Sequence, residues 1–332
     1  MSTSKQYNIS SQYPLPDLLY PEAISEATRL RNEQLTQSME ALPEWWLIGP
    51  AAFRQAQREG LSGFPSAMFS DRARDRTIDG PDGPLRLREI TPAQGQPRGV
   101  YLHIHGGGWV IGGADMQDSL LCSLADHAGL AVLSVHYRLA PEHRYPAAPD
   151  DCEAAAAWLI KHAKAVYGTE ALFIGGESAG AHLSALTLLR LRQRLGHCAF
   201  AGAVFNFGLF DLGLTPSARA FGNDRLFLRT LDILHFRDAF VPGESDLRNP
   251  NLSPLYADLK GQCPALFVVG TRDALLDDSL FMHARWLAAG NVGQLEIYPG
   301  APHGFMRLSD AHSQQAVQRQ IGFLRSLQAM GR

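Results

Sequence analysis

Two patterns of hydrophobic and polar positions follow each other along the chain. In residues 1–65 the apolar side chains recur at helical spacing, as in PEAISEATRLRNEQLTQSMEAL and PAAFRQAQREGL, and no β-rich stretch occurs. From about residue 67, short apolar runs alternate with longer helical ones. The first segment is therefore predicted to be helical, and the remainder to alternate strands with helices.

Eight of the short runs have the composition of strands. The first two, RARDRTIDG and PLRLREITP, flank the turn Gly80-Pro81-Asp82-Gly83 and predict an antiparallel hairpin. The next six are GVYLHIH, LAVLSVHYR, ALFIG, GAVFNFG, PALFVVG and QLEIYPG. Helices are predicted near 114–128, 150–166, 179–195, 277–289 and 311–328. This alternation predicts an α/β fold with an eight-stranded, mostly parallel sheet that helices cover on both faces.

An insert interrupts the alternation at residues 211–259. It contains a predicted helical run with the apolar residues Leu226, Phe227, Leu231, Leu234 and Phe236, between loops rich in Pro, Gly and Asn. We expect residues 1–65 and this insert to form two helical cap segments, and residues 66–210 and 260–332 to form the catalytic domain. Trp45 and Trp46 are expected to pack in the core or at the rim of a pocket.

Composition and charge narrow the class of protein. Hydrophobic residues make up 45% and charged residues 19%, as in ordinary globular proteins. The net charge of -3 gives no electrostatic reason to expect nucleic acid or an anionic membrane as a partner, so a small-molecule substrate is expected. The N-terminal sequence lacks the apolar stretch of a signal peptide, and no run is long enough to span a bilayer. These features predict a cytoplasmic location without membrane insertion.

One predicted turn carries a candidate nucleophile. The strand ALFIG continues directly into Gly176-Glu177-Ser178-Ala179-Gly180, and a helical pattern follows. A serine on such a turn needs a strained backbone, and glycines two positions before and after it keep neighbouring side chains clear of the strand and the helix. Ser178 is therefore the candidate nucleophile, and chance occurrence of the motif is the alternative.

Three consecutive glycines follow the strand GVYLHIH, in the sequence HGGG at 105–108. Glycines let main-chain N–H groups turn towards one point, and HGGG is the pattern of an oxyanion-stabilising loop. A flexible loop without a chemical role is the alternative. The predicted oxyanion donors are the N–H groups of Gly107, Gly108 and Ala179, and the predicted supporting residues are His105 and Gly106.

A candidate acid and a candidate base follow two later strands. Asp273 comes shortly after PALFVVG, and His303 comes shortly after QLEIYPG. The chain order Ser178, Asp273, His303 is that of the serine, acid and histidine in an α/β-hydrolase. Asp277 and Asp278 are poorer candidates for the acid, because they lie about one helical turn further on.

Five motifs together carry a family resemblance: HGGGW at 105–109, YRLAPEHRYPAAPDD at 137–151, GESAG at 176–180, DALLD at 273–277 and PHGF at 302–305. On these motifs the chain resembles the hormone-sensitive-lipase-like (bacterial family IV) esterases of the α/β-hydrolase fold, over about residues 65–328. The resemblance implies the α/β-hydrolase fold with a helical cap, and ester hydrolysis with Ser178, Asp273 and His303 as the triad. The family's acid motif usually has Asp-Pro-Leu, where this chain has Asp-Ala-Leu.

The remaining polar residues of these motifs are expected to be structural. Glu177 is predicted to pair with an arginine near the turn rather than to act in catalysis. His103 and His105 share one face of a strand, but no third ligand follows at a fitting spacing, so no metal site is predicted. Neither GxGxxG nor a Walker sequence occurs, so no cofactor is predicted.

The sequence thus predicts a serine carboxylester hydrolase that acts through an acyl-enzyme on a small-molecule ester. The apolar content of the two short cap segments favours small to medium acyl esters over long-chain lipids. An amidase or arylformamidase on the same scaffold, or a non-catalytic hydrolase-fold ligand-binding protein, are the alternatives. The sequence does not decide the oligomeric state and leaves a homodimer open.

Overall fold

The computed structural model describes residues 15–63 and 68–330. These residues contain one sheet of eight strands, whose order is β1-β2-β4-β3-β5-β6-β7-β8. The strands are β1 (Arg74–Gly80), β2 (Gly83–Ile90), β3 (Val100–Ile104), β4 (Ala131–Val135), β5 (Leu172–Glu177), β6 (Gly202–Asn206), β7 (Ala265–Arg272) and β8 (Gly293–Pro302). β1 pairs with β2, and β2 with β4, in antiparallel register, and all other neighbouring strands are parallel. The eight-stranded, mostly parallel sheet predicted above is confirmed.

Helices cover both faces of the sheet, because its central strands are apolar on both sides and must be buried on both. Helices α5 (Asp118–Ala128) and α11 (Ala311–Met330) pack on one face, where Leu124 and Leu324 are fully buried. Helices α6 (Ala147–Tyr167), α7 (Ala179–Leu195) and α10 (Leu276–Ala288) pack on the other. Each face therefore has its own hydrophobic core.

The remaining helices belong to the two segments predicted as caps. The first segment contains α1 (Leu15–Leu19), α2 (Glu26–Glu40), α3 (Trp45–Ile48) and α4 (Pro50–Arg58), and the insert contains α8 (Pro216–Ala220) and α9 (Thr230–Phe240). Residues 1–14 and 64–67 lie outside the described residues. Two predictions fall on them: the one made from the N-terminal sequence and the domain boundary at residue 65.

Two helices begin later than predicted. In the insert, α9 begins at Thr230, so Leu226 and Phe227 precede it. Phe227 has φ of 64°, which no α-helix accommodates, and Arg229 is the N-cap residue, whose N–H donates to Asp232. Helix α5, expected from about residue 114, begins at Asp118.

The parallel arrangement brings the candidate residues together. The carboxyl ends of parallel strands meet at one edge of the sheet, where ligands of α/β proteins bind. The HGGG loop follows β3, Ser178 follows β5, Asp273 follows β7 and His303 follows β8. Residues separated by up to 198 positions in sequence can therefore form one site.

Candidate active site

Ser178 lies between β5 and α7 in a strained backbone conformation. Its φ of 54° and ψ of -119° are costly for a residue with a side chain, and such strain concentrates at functional sites. A Cβ atom at Gly176 or at Gly180 would collide with the carbonyl oxygen of Ile104 on the neighbouring strand. Both flanking positions therefore require glycine, and the turn exposes the hydroxyl of Ser178 to the cavity above it.

Ser178, His303 and Asp273 form a continuous hydrogen-bonded chain. The Oγ atom of Ser178 lies 3.0 Å from Nε2 of His303. On the other side of the ring, Nδ1 lies 3.0 Å from each carboxylate oxygen of Asp273. The buried carboxylate also accepts the N–H of Leu275 at 2.8 Å, which fixes its orientation although alanine replaces the usual proline at position 274. This order of contacts is that of a serine–histidine–acid triad.

The glycine loop after β3 passes beside Ser178. Gly107 has φ of 117° and Gly108 has φ of 57°, which favour glycine at both positions. A Cβ atom at Gly106 would lie 2.7 Å from the carbonyl oxygen of Glu177, so the loop packs directly on the turn. The N–H groups of Val110 and Ile111 donate to the carbonyl oxygen of Gly107 and hold the loop closed. The loop and Ala179 line the same cavity as Ser178.

His105 supports this loop from beneath. Its ring stacks on Tyr137 with 4.1 Å between the centroids, and its Nδ1 atom lies 2.8 Å from the carbonyl oxygen of Gly106. The hydroxyl of Tyr137 donates to the carbonyl oxygen of His105 at 2.9 Å. Burial lowers the pKa of His105 to about 3, so the ring is neutral at pH 7.

The cavity above Ser178 has a mostly apolar wall. The two segments predicted as caps contribute Trp45, Phe53, Phe227 and Phe236, and Phe207 comes from the end of β6. Charged side chains also line it, namely Glu44, Glu177, Arg225, Asp232 and Arg307. An apolar cavity with a few placed polar groups is typical of a small-molecule site.

A family model described as the α/β-hydrolase fold matches residues 101–307. The chain belongs to this family. The matched range includes the glycine loop, the turn at Ser178, and the candidate acid and base, and it leaves out residues 1–65.

Relatives and solved structures place the hydrolase among esterases. It is 33% identical over 268 residues to the carboxylic ester hydrolase LipN of Mycobacterium tuberculosis, covering 77% of this chain and 70% of the relative. It is also 33% identical over 239 residues to the ethyl acetate hydrolase of Pseudomonas putida, covering 70% and 74%.

Among solved structures, the hyperthermophilic esterase of the archaeon Pyrobaculum calidifontis matches with a TM-score of 0.82 and 26% identity, covering 92% of this chain and 98% of that one. A hormone-sensitive lipase from a metagenome library matches with a TM-score of 0.79 and 27% identity, covering 91% and 98%. The predicted resemblance to hormone-sensitive-lipase-like esterases is confirmed.

Glu177 is held mainly by a histidine rather than by the arginine that the sequence suggested. Its carboxylate lies 3.1 Å from Nε2 of His103 and accepts the side-chain N–H of Gln117 at 3.0 Å, while Arg307 adds an electrostatic interaction. Burial alone raises the pKa of this carboxyl, but His103 and Gln117 outweigh burial and lower it. Nδ1 of His103 lies 2.7 Å from Oγ of Ser134. His103 thus belongs to a buried polar network next to the turn that carries Ser178.

One buried histidine next to the site belongs to none of the motifs. His182 on α7 is fully buried, where it accepts the indole N–H of Trp109 at 3.1 Å and donates to the carbonyl oxygen of Leu252 at 2.7 Å. Burial lowers its pKa to about 4. His182 therefore connects helix α7 to Trp109, at the end of the glycine loop, and to Leu252 of the insert. A lone histidine in the apolar pattern AHLSAL is the only sequence signal for it.

The described residues contain neither a candidate metal site nor a candidate membrane span. Within residues 15–63 and 68–330, no group of three or more His, Cys, Asp or Glu side chains could hold a metal ion. No helix in that part of the chain is long and apolar enough to cross a membrane.

Proposed function

We propose that this hydrolase is a serine carboxylester hydrolase that acts on small to medium acyl esters through an acyl-enzyme. The observation that carries the proposal is the 3.0 Å contact between Oγ of Ser178 and Nε2 of His303, with Asp273 behind the ring. The proposal is supported by the relatives named as a carboxylic ester hydrolase and an ethyl acetate hydrolase.

In the first half of the reaction, Ser178 attacks the ester carbonyl carbon while Nε2 of His303 takes its proton. Asp273 accepts the Nδ1–H of His303, so the ring presents its lone pair to the serine and its positive charge is stabilised. His303 then returns the proton to the departing alcohol, which leaves Ser178 acylated. In the second half, His303 activates a water that releases the acid.

The tetrahedral intermediates carry a negative oxygen that needs donors. The N–H groups of Gly107, Gly108 and Ala179 form the proposed oxyanion hole, and the HGGG loop with His105 and Gly106 supports it. Two observations support this proposal: Gly107 and Gly108 have positive φ, and Gly106 packs on the turn at Ser178. Preorganised donors of this kind contribute about 10²- to 10³-fold each to turnover.

The preference for small to medium esters rests on the two proposed cap segments, residues 1–65 and 211–259, as distinct from the proposed catalytic domain of residues 66–210 and 260–332. Aromatic side chains from the described part of both segments line the cavity. An apolar enclosure of this kind favours an uncharged acyl group of limited length. The cytoplasmic location remains a prediction from the sequence, which leaves a homodimer open.

Labelling with a fluorophosphonate tests the proposal. The reagent phosphonylates a serine only when a base activates its hydroxyl. We expect one equivalent to attach, and peptide mapping to find it on Ser178. Absence of labelling would favour a ligand-binding protein. Parallel assays of p-nitrophenyl butyrate and of the matching anilide separate the two activities, because an amidase hydrolyses the anilide as well as the activated ester, whereas we expect the esterase to hydrolyse only the ester.

A further inference from the structure

The two cap segments contact each other through aromatic rings next to the glycine loop. The ring of Trp45, on α3, stacks on that of Phe236, on α9, with 4.6 Å between centroids and 11° between planes. Beside this pair, Trp46 stacks on His235 at 4.0 Å. Offset aromatic stacks of this spacing are favourable beyond the area they bury. Trp45 is buried, and Trp45 and Phe236 both line the cavity.

Ion pairs hold these rings in place. Glu44, directly before Trp45, lies 2.5 Å from Nη2 of Arg229 and 3.4 Å from Nη2 of Arg225. The side chain of Arg229 is 8% exposed, and its guanidinium lies 5.4 Å from the ring centroid of Trp46. Mostly buried, charge-assisted contacts are stronger and more directional than exposed ones. The Trp45–Phe236 stack is thus a fixed part of the wall.

Phe236 packs directly on the oxyanion loop. A Cβ atom at Gly108 would lie 2.3 Å from Cγ of Phe236, so no space for a side chain separates the ring from the main chain there. Phe236 therefore forms the cavity wall at the Gly108 side, and Trp45, which stacks on Phe236, is also part of the wall.

The position of His303 indicates which half of the ester lies on that side. The departing alcohol receives its proton from Nε2 of His303, so the alcohol must lie beside this ring. Phe207 packs edge-on against His303, with 5.1 Å between centroids, and lines the cavity there. The acyl group leaves the carbonyl carbon away from the alcohol, and Phe236 lines the cavity beside Gly108, whose N–H is a proposed oxyanion donor next to that carbon.

We propose that the Trp45–Phe236 stack is the end wall of the acyl arm of the cavity and sets the upper limit of acyl-chain length. This inference rests on the proposed esterase function and adds to it the residues that determine specificity. Both rings belong to this wall, because both line the cavity and Trp45 stacks on Phe236.

The test compares Phe236→Ala with the wild-type protein on p-nitrophenyl acetate, butyrate and octanoate. Each CH₂ group that gains a buried place raises kcat/KM roughly fourfold, so we expect the octanoate-to-acetate ratio to rise at least about tenfold. Phe281→Ala, which removes the same phenyl group from an exposed position on α10, should leave the ratio unchanged. A second series, acetate esters of ethanol to octanol, should show no change in preference with Phe236→Ala.

An unchanged octanoate-to-acetate ratio in folded Phe236→Ala, or a shift in the alcohol series alone, would overturn the inference. Thermal melts establish whether the variant is folded. If it is not, Phe236→Leu provides the test with a smaller gain, and Trp45→Phe should move the ratio in the same direction. Wild-type turnover of the acetate separates the two proposals, because its absence would contradict the esterase function itself.

Discussion

Nδ1 of His303 lies at the same distance, 3.0 Å, from both carboxylate oxygens of Asp273. The carboxylate is buried, and the N–H of Leu275 holds it from the other side. A buried acceptor that faces Nδ1 keeps the proton on that nitrogen and leaves Nε2 free to accept from Ser178. The contact therefore fixes both the tautomer and the orientation of the ring.

Replacing Asp273 with asparagine should lower kcat by about 10³- to 10⁴-fold without unfolding the protein, because the amide no longer favours the Nδ1–H tautomer. The measurement is kcat on p-nitrophenyl butyrate. Asp277→Asn is the matched control, since the Asp277 side chain accepts the N–H of Ser217 and does not reach His303. A loss below about tenfold for Asp273→Asn, or an equal loss for both variants, would remove Asp273 from the triad.

Gly108→Ala should lower kcat/KM, because the new methyl group displaces Phe236 and the αL backbone disfavours alanine. We expect a loss of about 10²-fold, comparable to that of one oxyanion donor. The loss should be smaller when Gly108→Ala is introduced into Phe236→Ala, where the clash is absent. A double-mutant cycle with kcat/KM measures this coupling, and strict additivity would contradict the contact.

His182 should make the protein less stable in acid. Its folded pKa of about 4 lies below the ordinary 6.5, so the unfolded chain binds more protons between these values. The stability it contributes is complete above pH 6.5 and is lost as the pH falls towards 4, about 2 kcal/mol of it by pH 5. Denaturant unfolding at pH 7 and pH 5 measures the loss.

The control variant for this effect is His182→Gln, whose side-chain amide can still donate to the carbonyl oxygen of Leu252 but does not titrate. Its free energy of unfolding should fall less than that of the wild-type protein between the two pH values. Burial also lowers the pKa of His105 and of His136, and these two residues act equally in both proteins. Equal pH dependence of the two proteins would show that His182 is not the titrating group.

The sheet and the three candidate residues could be predicted because their signals are local. A buried strand is a short apolar run, and a catalytic turn is a pattern of glycines around a serine. The helix predicted over 179–195 agrees with α7 because apolar spacing and the Gly196 stop signal coincide. Chain order then placed Asp273 and His303 at the same sheet edge as Ser178.

The cavity wall could not be predicted in this way, because its contacts join residues far apart in sequence. Trp45 and Phe236 are separated by 191 positions, and nothing near either residue indicates the other. The prediction starts α9 too early, because Leu226 and Phe227 extend the apolar pattern of this helix towards the N-terminus. The capping contact between Arg229 and Asp232 instead starts the helix at Thr230. The sequence predicts an arginine partner for Glu177, because it does not show that the folded sheet buries His103 beside this carboxylate.

Turnover of p-nitrophenyl butyrate by Ser178→Ala tests the central claim most directly. Ser184→Ala is the matched control, because Ser184 lies on α7, the helix that follows Ser178, and its hydroxyl donates to the carbonyl oxygen of Gly180. We predict that Ser178→Ala keeps the wild-type circular dichroism spectrum and loses at least about 10³-fold in kcat, while Ser184→Ala retains turnover. Substantial turnover by folded Ser178→Ala would contradict the assignment of Ser178 as the nucleophile.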